Sequence, residues 1–173
     1  MAFTAQDVKT LREMTNVGMM DCKKALQATD GDMDKAVDWL REKGLAKAAK
    51  KAGRIAAEGM AYAMVCPKCG TGVVVEVNCE TDFCAKSEAF VQFVKDICKV
   101  VLNDNPADVD ALLQCKYPER DLTVAEILPE KVMSIGENLQ IRRFARFADP
   151  FNVAYVHAGG THGVLVNLAV EGD

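Results

Sequence analysis

The sequence predicts an α+β fold in which a small helical module precedes antiparallel hairpins and one long packing helix. Apolar residues recur at helical spacing up to residue 44, whereas residues 73–77 form an apolar, mostly β-branched run that is typical of a strand. Half of the 173 residues are apolar and 27% are charged, which indicates a folded chain rather than a disordered one.

Three short amphipathic helices are predicted within residues 1–44. Thr4 with Asp7 resembles a capping pair at the start of the first helix, and the segment 16–18 ends that helix. Asp32 is placed to cap the third helix and Gly44 to close it. The apolar positions expected to face a very small core are Val8, Leu11, Met14, Cys22, Ala25, Leu26, Met33, Ala36, Val37 and Leu40.

Residues 45–59 are rich in Ala, Lys and Arg and predict a basic helical linker with a solvated face. Residues 60–148 predict the first half of an α+β core, beginning with a hairpin of strands 61–65 and 72–79. Ser87 is placed to cap a long helix that ends within 103–106. Short helices at 107–113 and 124–128 and a strand at 140–147 complete this half.

Residues 149–173 predict the beginning of a second core half, set off by Asp149-Pro150. Strands at 153–157 and 163–170 form a second hairpin, and the matching segments 72–75 and 163–166 indicate an internal repeat. No covering helix follows this hairpin, so we expect one bare apolar face. The expectation is a truncated chain, a naturally short form, or a partner at that face, which could be a second copy.

Composition and motifs exclude several classes of function. The net charge of −4 gives no general attraction to nucleic acid or to an anionic membrane, and no apolar run is long enough to span a bilayer. The start has no secretory pattern, so the seven cysteines are interpreted as free thiols in a reducing cytoplasm. No catalytic triad, phosphate loop or paired-carboxylate site stands out, so we expect neither catalysis nor a cofactor.

The first candidate site is Asp82-Phe83, which follows the apolar strand just before a new helix. A charged residue beside a large aromatic is suited to contacting another protein. The alternative, which pattern alone favours, is that Phe83 packs under the helix and Asp82 serves as a cap. Met19 and Met20 cannot both face one small core, so either one of them lies at the surface as a contact residue or the two straddle the edge of the core.

Two further candidates are less specific. Cys66-Pro67-Lys68-Cys69-Gly70 has the form of one half of a zinc ribbon, but no second Cys-x-x-Cys exists, and Cys79 and Cys84 do not have ribbon spacing. A thioredoxin-like role is less favoured because the motif lies in a hairpin turn. His157 beside Gly159 and Gly160 is consistent with either a structural role or binding at an exposed turn.

Five segments, in order and over nearly the whole chain, resemble the bacterial elongation factor Ts family. The segments are 11–26, 46–53, 76–86, 135–138 with 141–144, and 155–157 with 163–166. Segment 76–86 contains the motif Thr81-Asp82-Phe83-Cys84, where Cys84 stands in place of the family's usual Val.

This resemblance implies a guanine-nucleotide exchange factor for elongation factor Tu, with a module like a ubiquitin-associated domain before a core of two related halves. In such a factor the Thr81-Asp82-Phe83-Cys84 turn contacts the G domain and helps to dislodge magnesium from the nucleotide. His157 of the second half contacts the same partner. The positions implied to dock the N-terminal module on the G domain are Arg12, Met19, Met20 and Lys23.

Two rival functions leave the 81–83 segment unexplained. One is a binding adaptor in which the three-helix module recognises a small protein without any exchange activity. The other is a small zinc-binding or redox-active protein built on Cys66 and Cys69.

Overall fold

The computed structural model describes residues 3–15, 17–149 and 151–169. They form two compact units, one of Met1–Gly53 with Pro129–Gly136 and the other of Arg54–Leu128 with Glu137–Asp173. The mixture of helices and small antiparallel sheets confirms the α+β class. Asn16, Pro150 and Val170, at which we placed a helix break, a strand break and a strand end, lie outside the described residues.

The first unit contains three helices: α1 (Ala5–Thr15), α2 (Met19–Ala28) and α3 (Met33–Lys51). The predicted capping pair is confirmed, since the backbone N–H of Thr4 donates to the Asp7 carboxylate at 2.7 Å. Asp32 caps α3 by accepting from the backbone N–H of Lys35 at 3.0 Å. The buried core residues of this unit are Val8, Leu11, Val17, Cys22, Ala25, Leu26, Ala36, Leu40 and Met133.

Two expectations for this unit were wrong. Gly44 does not close α3, which continues to Lys51; Gly44 is buried, and a methyl group there would lie 3.4 Å from the carbonyl oxygen of Pro129. Gly44 is therefore a buried position inside a continuous helix and not its end. Met14 is 55% exposed near the end of α1, whereas the neighbouring Thr15 is partly buried and donates its hydroxyl to the Leu11 carbonyl at 2.7 Å.

The second unit is built on a three-stranded antiparallel sheet in the order β1–β2–β3, with a separate two-stranded sheet β4–β5. Helix α5 packs on one face of the larger sheet against β2. Phe93, Ile97 and Val101 of the helix and Val73, Val75 and Val77 of β2 are all buried. The remaining elements are β1 (Glu58–Val65), β2 (Gly72–Cys79), α4 (Asp82–Ala85), α5 (Glu88–Asp104), α6 (Val109–Gln114), α7 (Val124–Ile135), β3 (Gln140–Phe147), β4 (Asn152–His157) and β5 (His162–Asn167). From Pro129 onward, α7 belongs to the first unit.

The β4–β5 hairpin packs on the other face of the larger sheet through the two glycines of the predicted repeat. A methyl group at Gly72 would lie 2.6 Å from Leu165 Cδ1, and one at Gly163 would lie 3.0 Å from the backbone carbonyl of Ala61. Each glycine therefore opens its own strand to close approach by the other hairpin. The glycine of each matching segment therefore lies at the contact between the two hairpins.

The predicted short helix at 124–128 is longer than expected. Helix α7 continues through Pro129 to Ile135, although proline lacks the N–H that the interior of a helix normally uses. Burial of Val132 and Met133 in the following turn stabilises the continuation. Ser87 caps α5 as expected, and among the described residues no helix is both long and apolar enough to cross a membrane.

Candidate partner-binding site

The 81–83 turn, made of Thr81, Asp82 and Phe83, joins β2 to the short helix α4. Thr81 caps this helix by accepting a hydrogen bond from the backbone N–H of Cys84 at 3.2 Å. The cap turns Cys84 inward, where it is 6% exposed, and leaves Phe83 83% exposed. The interpretation that Phe83 packs under the following helix is therefore wrong.

Glu137 fixes the start of this turn from a distant part of the sequence. Its Oε2 accepts from the backbone N–H groups of Glu80 at 2.9 Å and Thr81 at 3.0 Å, and its Oε1 accepts from the Thr81 hydroxyl at 2.6 Å. Hydrogen bonds to an ionised carboxylate are the strong class. Two consecutive backbone donors before α4 are thus held by one side chain.

Glu80 in turn binds the segment that follows Glu137. Its Oε1 accepts from the backbone N–H of Asn138 at 2.6 Å, and both of its oxygens lie 3.4 Å from Arg54 Nη1. The Asn138 amide donates in turn to the carbonyl of Arg54 at 2.9 Å. We call this set of Arg54, Glu80, Thr81, Glu137 and Asn138 the Glu80–Glu137 network, and it fixes the backbone that presents Phe83.

Electrostatics favour the ionised form of Glu137. Burial opposes its charge, but hydrogen bonds from Thr81, Cys84 and Glu80 outweigh burial and lower the pKa of the carboxyl group. Asp82 also has a lowered pKa, because Lys86 donates to its carboxylate at 2.7 Å on the exposed side of α4. The turn is therefore negatively charged at neutral pH, with a lysine beside it.

Two thiols lie beneath the turn. Cys79, Cys84 and Glu137 each offer one metal-ligand atom, and these atoms lie within 4.8 Å of one another. Burial raises the pKa of both thiols, Cys79 donates to the Thr81 carbonyl at 3.3 Å, and Cys84 donates to Glu137. A thiophilic cation could replace both protons, but as protonated thiols these groups support the turn.

The N-terminal positions expected to bind a partner lie at the surface of the first unit. Arg12 and Lys23 are exposed, and both Met19 (44%) and Met20 (63%) are exposed. Arg12 lies on α1, and the other three lie on α2. The buried face of α2 is formed by Cys22, Ala25 and Leu26. Met14 adds a third exposed methionine that the helical spacing had assigned to the core.

His157 lies on the outer face of the β4–β5 hairpin. Tyr155 Oη and His157 Nδ1 are 2.9 Å apart, and the His157 and His162 rings are 6.0 Å apart between centroids. The predicted bare face is present, because the side chains beside these histidines are exposed and mainly apolar. The cross-strand pairs on this face are Val153–Val166, Tyr155–Val164 and His157–His162.

The turn that carries Cys66 and Cys69 lies at the β1–β2 connection, at the other end of β2 from Thr81. Among the described residues, no group of three or more Cys, His, Asp or Glu ligands forms there. Sequence reasoning also missed the roles of Glu80 and Glu137. Each is a lone glutamate after an element, and no local pattern predicts that residues 57 positions apart share a hydrogen bond.

A sequence model described as elongation factor TS matches residues 80–173 of this chain. The chain is also similar to proteins named elongation factor Ts. It is 52% identical to that of Clostridium perfringens (strain SM101 / Type A) over 170 residues, covering 97% of this chain and 56% of the relative. It is 52% identical to that of Trichlorobacter lovleyi over 174 residues, covering 99% and 56%. The chain thus spans about half the length of these curated relatives.

Proposed function

The chain belongs to the elongation factor Ts family, and from this premise we propose that it binds elongation factor Tu carrying GDP and promotes GDP release. It acts as a translation elongation factor that allows its GTPase partner to reload with GTP. The chain is in this proposal an exchange factor and not itself an enzyme.

The observation that carries the proposal is an exposed aromatic side chain on an immobilised backbone. Phe83 is 83% exposed, while Thr81, two residues earlier, is held by the Glu137 carboxylate. Leaving a phenyl ring in water is unfavourable, and burying it fully against a partner contributes about 1.5–3 kcal/mol. A fixed turn reduces the entropy lost when the ring enters a pocket.

Exchange follows from the linkage between two binding equilibria. A protein that binds the nucleotide-free partner more tightly than the loaded partner weakens nucleotide binding by the same ratio. Phe83 produces this difference in affinity if its pocket on the partner opens only when the nucleotide site is distorted. The negative charge of Asp82 and the bulk of Phe83 enter near the partner's magnesium ion, whose loss removes the main charge that neutralises the nucleotide phosphates.

Two further surfaces support binding rather than exchange in this proposal. Arg12, Met19, Met20 and Lys23 dock the first unit on the G domain, with methionines as adaptable apolar contacts between cationic groups. His157, together with the apolar face around it, contacts the same partner from the second unit. A second copy of the chain is the alternative occupant of that face.

The test is release of a fluorescent GDP analogue from elongation factor Tu of the same organism, chased with excess unlabelled GDP. We expect the chain to accelerate release in proportion to its concentration until the partner is saturated. Binding without acceleration would instead favour the adaptor function. Sedimentation of the chain alone and with the partner distinguishes a homodimer at the β4–β5 face from a complex with elongation factor Tu.

A further inference from the structure

Cys66 and Cys69 are held together in a closed turn between β1 and β2. The Cys66 N–H donates to the Thr71 carbonyl at 2.8 Å, and the Gly70 N–H donates to the Cys66 carbonyl at 2.9 Å. Gly70 has φ of 71°, a conformation that glycine adopts without strain. The backbone therefore keeps the two thiols on one short turn, with Cys66 half-buried and Cys69 exposed.

The surroundings of Cys69 favour its thiolate. Thr71 is 5% exposed, and its Oγ1 lies 3.3 Å from Cys69 Sγ, so this hydroxyl can rotate to donate to a sulfur anion. The hydrogen bond to Thr71, a second one from the backbone of that residue, the Cys66 thiol and the charge of Arg146 lower the pKa of Cys69 to about 7. Roughly half of a thiol with that pKa is ionised at neutral pH.

The five cysteines outside the turn differ from Cys69 in both thiol pKa and exposure. Burial raises the pKa of each of their thiols, and each is partly or fully shielded from solvent. These are Cys22, Cys79, Cys84, Cys98 and Cys115. Since the thiolate is the reactive form, one position in the chain combines exposure, ionisation and a neighbouring thiol.

We propose that Cys66 and Cys69 form a thiol–disulfide exchange site that reacts with small-molecule disulfides. The Cys69 thiolate attacks one sulfur of the reagent R–S–S–R, whose S–S bond breaks and releases one thiolate that takes up a proton. Cys66 then loses its proton and attacks the Cys69 sulfur of the mixed disulfide, releasing the second R–S group. The two cysteine thiols are oxidised to one disulfide, and the reagent is reduced to two thiols.

A metal site at this turn is less well supported. Two sulfurs provide half of a tetrahedral zinc site, and no third ligand of the Cys, His, Asp or Glu types joins them among the described residues. The charge of Arg146 contributes to the lowered pKa of Cys69, and a cation there favours an anionic sulfur and disfavours a second cation. The same surroundings therefore suit nucleophilic attack better than metal coordination.

Oxidised glutathione is a suitable probe, with intact-mass measurement on the full chain under native conditions. We expect the unmodified chain to lose the mass of two hydrogen atoms without retaining glutathione. Cys66→Ser should retain one glutathione on Cys69, because the second step is blocked, and Cys69→Ser should neither oxidise nor retain it. Cys115→Ser is the control and should behave like the unmodified chain.

The rate of alkylation by iodoacetamide provides an independent measurement. It should rise with a midpoint near the pKa of about 7 given above for Cys69, and this phase should disappear in Cys69→Ser. Thr71→Val should move the midpoint upward, whereas Thr71→Ser should not. The proposal would be overturned if the unmodified chain and Cys69→Ser were alkylated at equal rates, or if adducts formed on the buried cysteines. It would also be overturned if one zinc ion per two chains protected the turn from alkylation. None of these readouts depends on GDP release.

Discussion

Glu137 and Thr81 are joined by two hydrogen bonds, one from the backbone N–H of Thr81 at 3.0 Å and one from its hydroxyl at 2.6 Å. The acceptor is a single carboxylate 56 residues away in sequence. The pair ties the start of the exposed turn to the loop before β3, so the position of Phe83 depends on the charge of Glu137.

Glu137→Gln should therefore loosen the turn and lower the free energy of unfolding. Hydrogen bonds to a charged group contribute about 1.5–3 kcal/mol each, and glutamine keeps one acceptor oxygen, so we expect a loss of about 1–3 kcal/mol. Urea unfolding at neutral pH measures this loss. An unchanged midpoint would mean that the turn is stable without the carboxylate.

The same residue predicts a dependence on pH. Because the folded pKa of Glu137 is lowered, the ionised form stabilises the fold. This contribution is complete above the unfolded-state pKa of 4.5 and is lost as pH falls through the folded value. The free energy of unfolding of Glu137→Gln should therefore fall less on acidification than that of the unmodified chain. Parallel curves for the two proteins would contradict the assignment.

Phe83→Ala should slow GDP release without unfolding the chain. The ring is 83% exposed, so its removal leaves no cavity, whereas the lost burial against a partner corresponds to roughly a 10- to 100-fold smaller acceleration. The melting temperature should be unchanged. Ile55→Ala is the control, since Ile55 is equally exposed at 83% and no partner contact is proposed for it.

Met20→Ala should weaken binding of elongation factor Tu while leaving stability within about 0.5 kcal/mol of the unmodified chain. Met20 is 63% exposed at the start of α2, so most of its side chain is accessible to a partner. Leu26→Ala on the inner face of the same helix should instead destabilise the chain by about 2–5 kcal/mol. Isothermal titration with the partner and thermal unfolding separate these effects.

The caps and hairpins of this fold could be predicted from local sequence because each depends on residues within a few positions. Asp32 and Ser87 begin α3 and α5 where expected, and the strand run 73–77 lies within β2. Helix ends were less predictable. Glycine and proline are unfavourable inside helices, but α3 continues through Gly44 and α7 through Pro129, where burial of residues such as Met133 outweighs local preference.

The sequence singled out Asp82 and Phe83 as candidates but did not predict their geometry. The pattern around Asp82 and Phe83 permitted either orientation of the ring, and local rules favoured the buried one. The outward orientation depends on the Thr81 cap and on Glu137, which approaches from a loop that shares no local pattern with the turn. Contacts of such long sequence separation follow only from the three-dimensional fold.

The contact between Gly72 and Leu165 tests whether the two repeat hairpins depend on each other. Gly72→Ala places a methyl group 2.6 Å from Leu165 Cδ1 and 2.9 Å from Asn152 Cβ, and we expect it to lower stability by about 1–3 kcal/mol. Adding Leu165→Ala removes the nearer of these two atoms and leaves the Asn152 contact, so it should recover part of the lost stability. A double-mutant cycle should therefore give a non-zero coupling energy. Gly53→Ala, with no atom within 4 Å, is the control and should be neutral. Additive effects of the two substitutions would mean that the hairpins do not pack through this glycine.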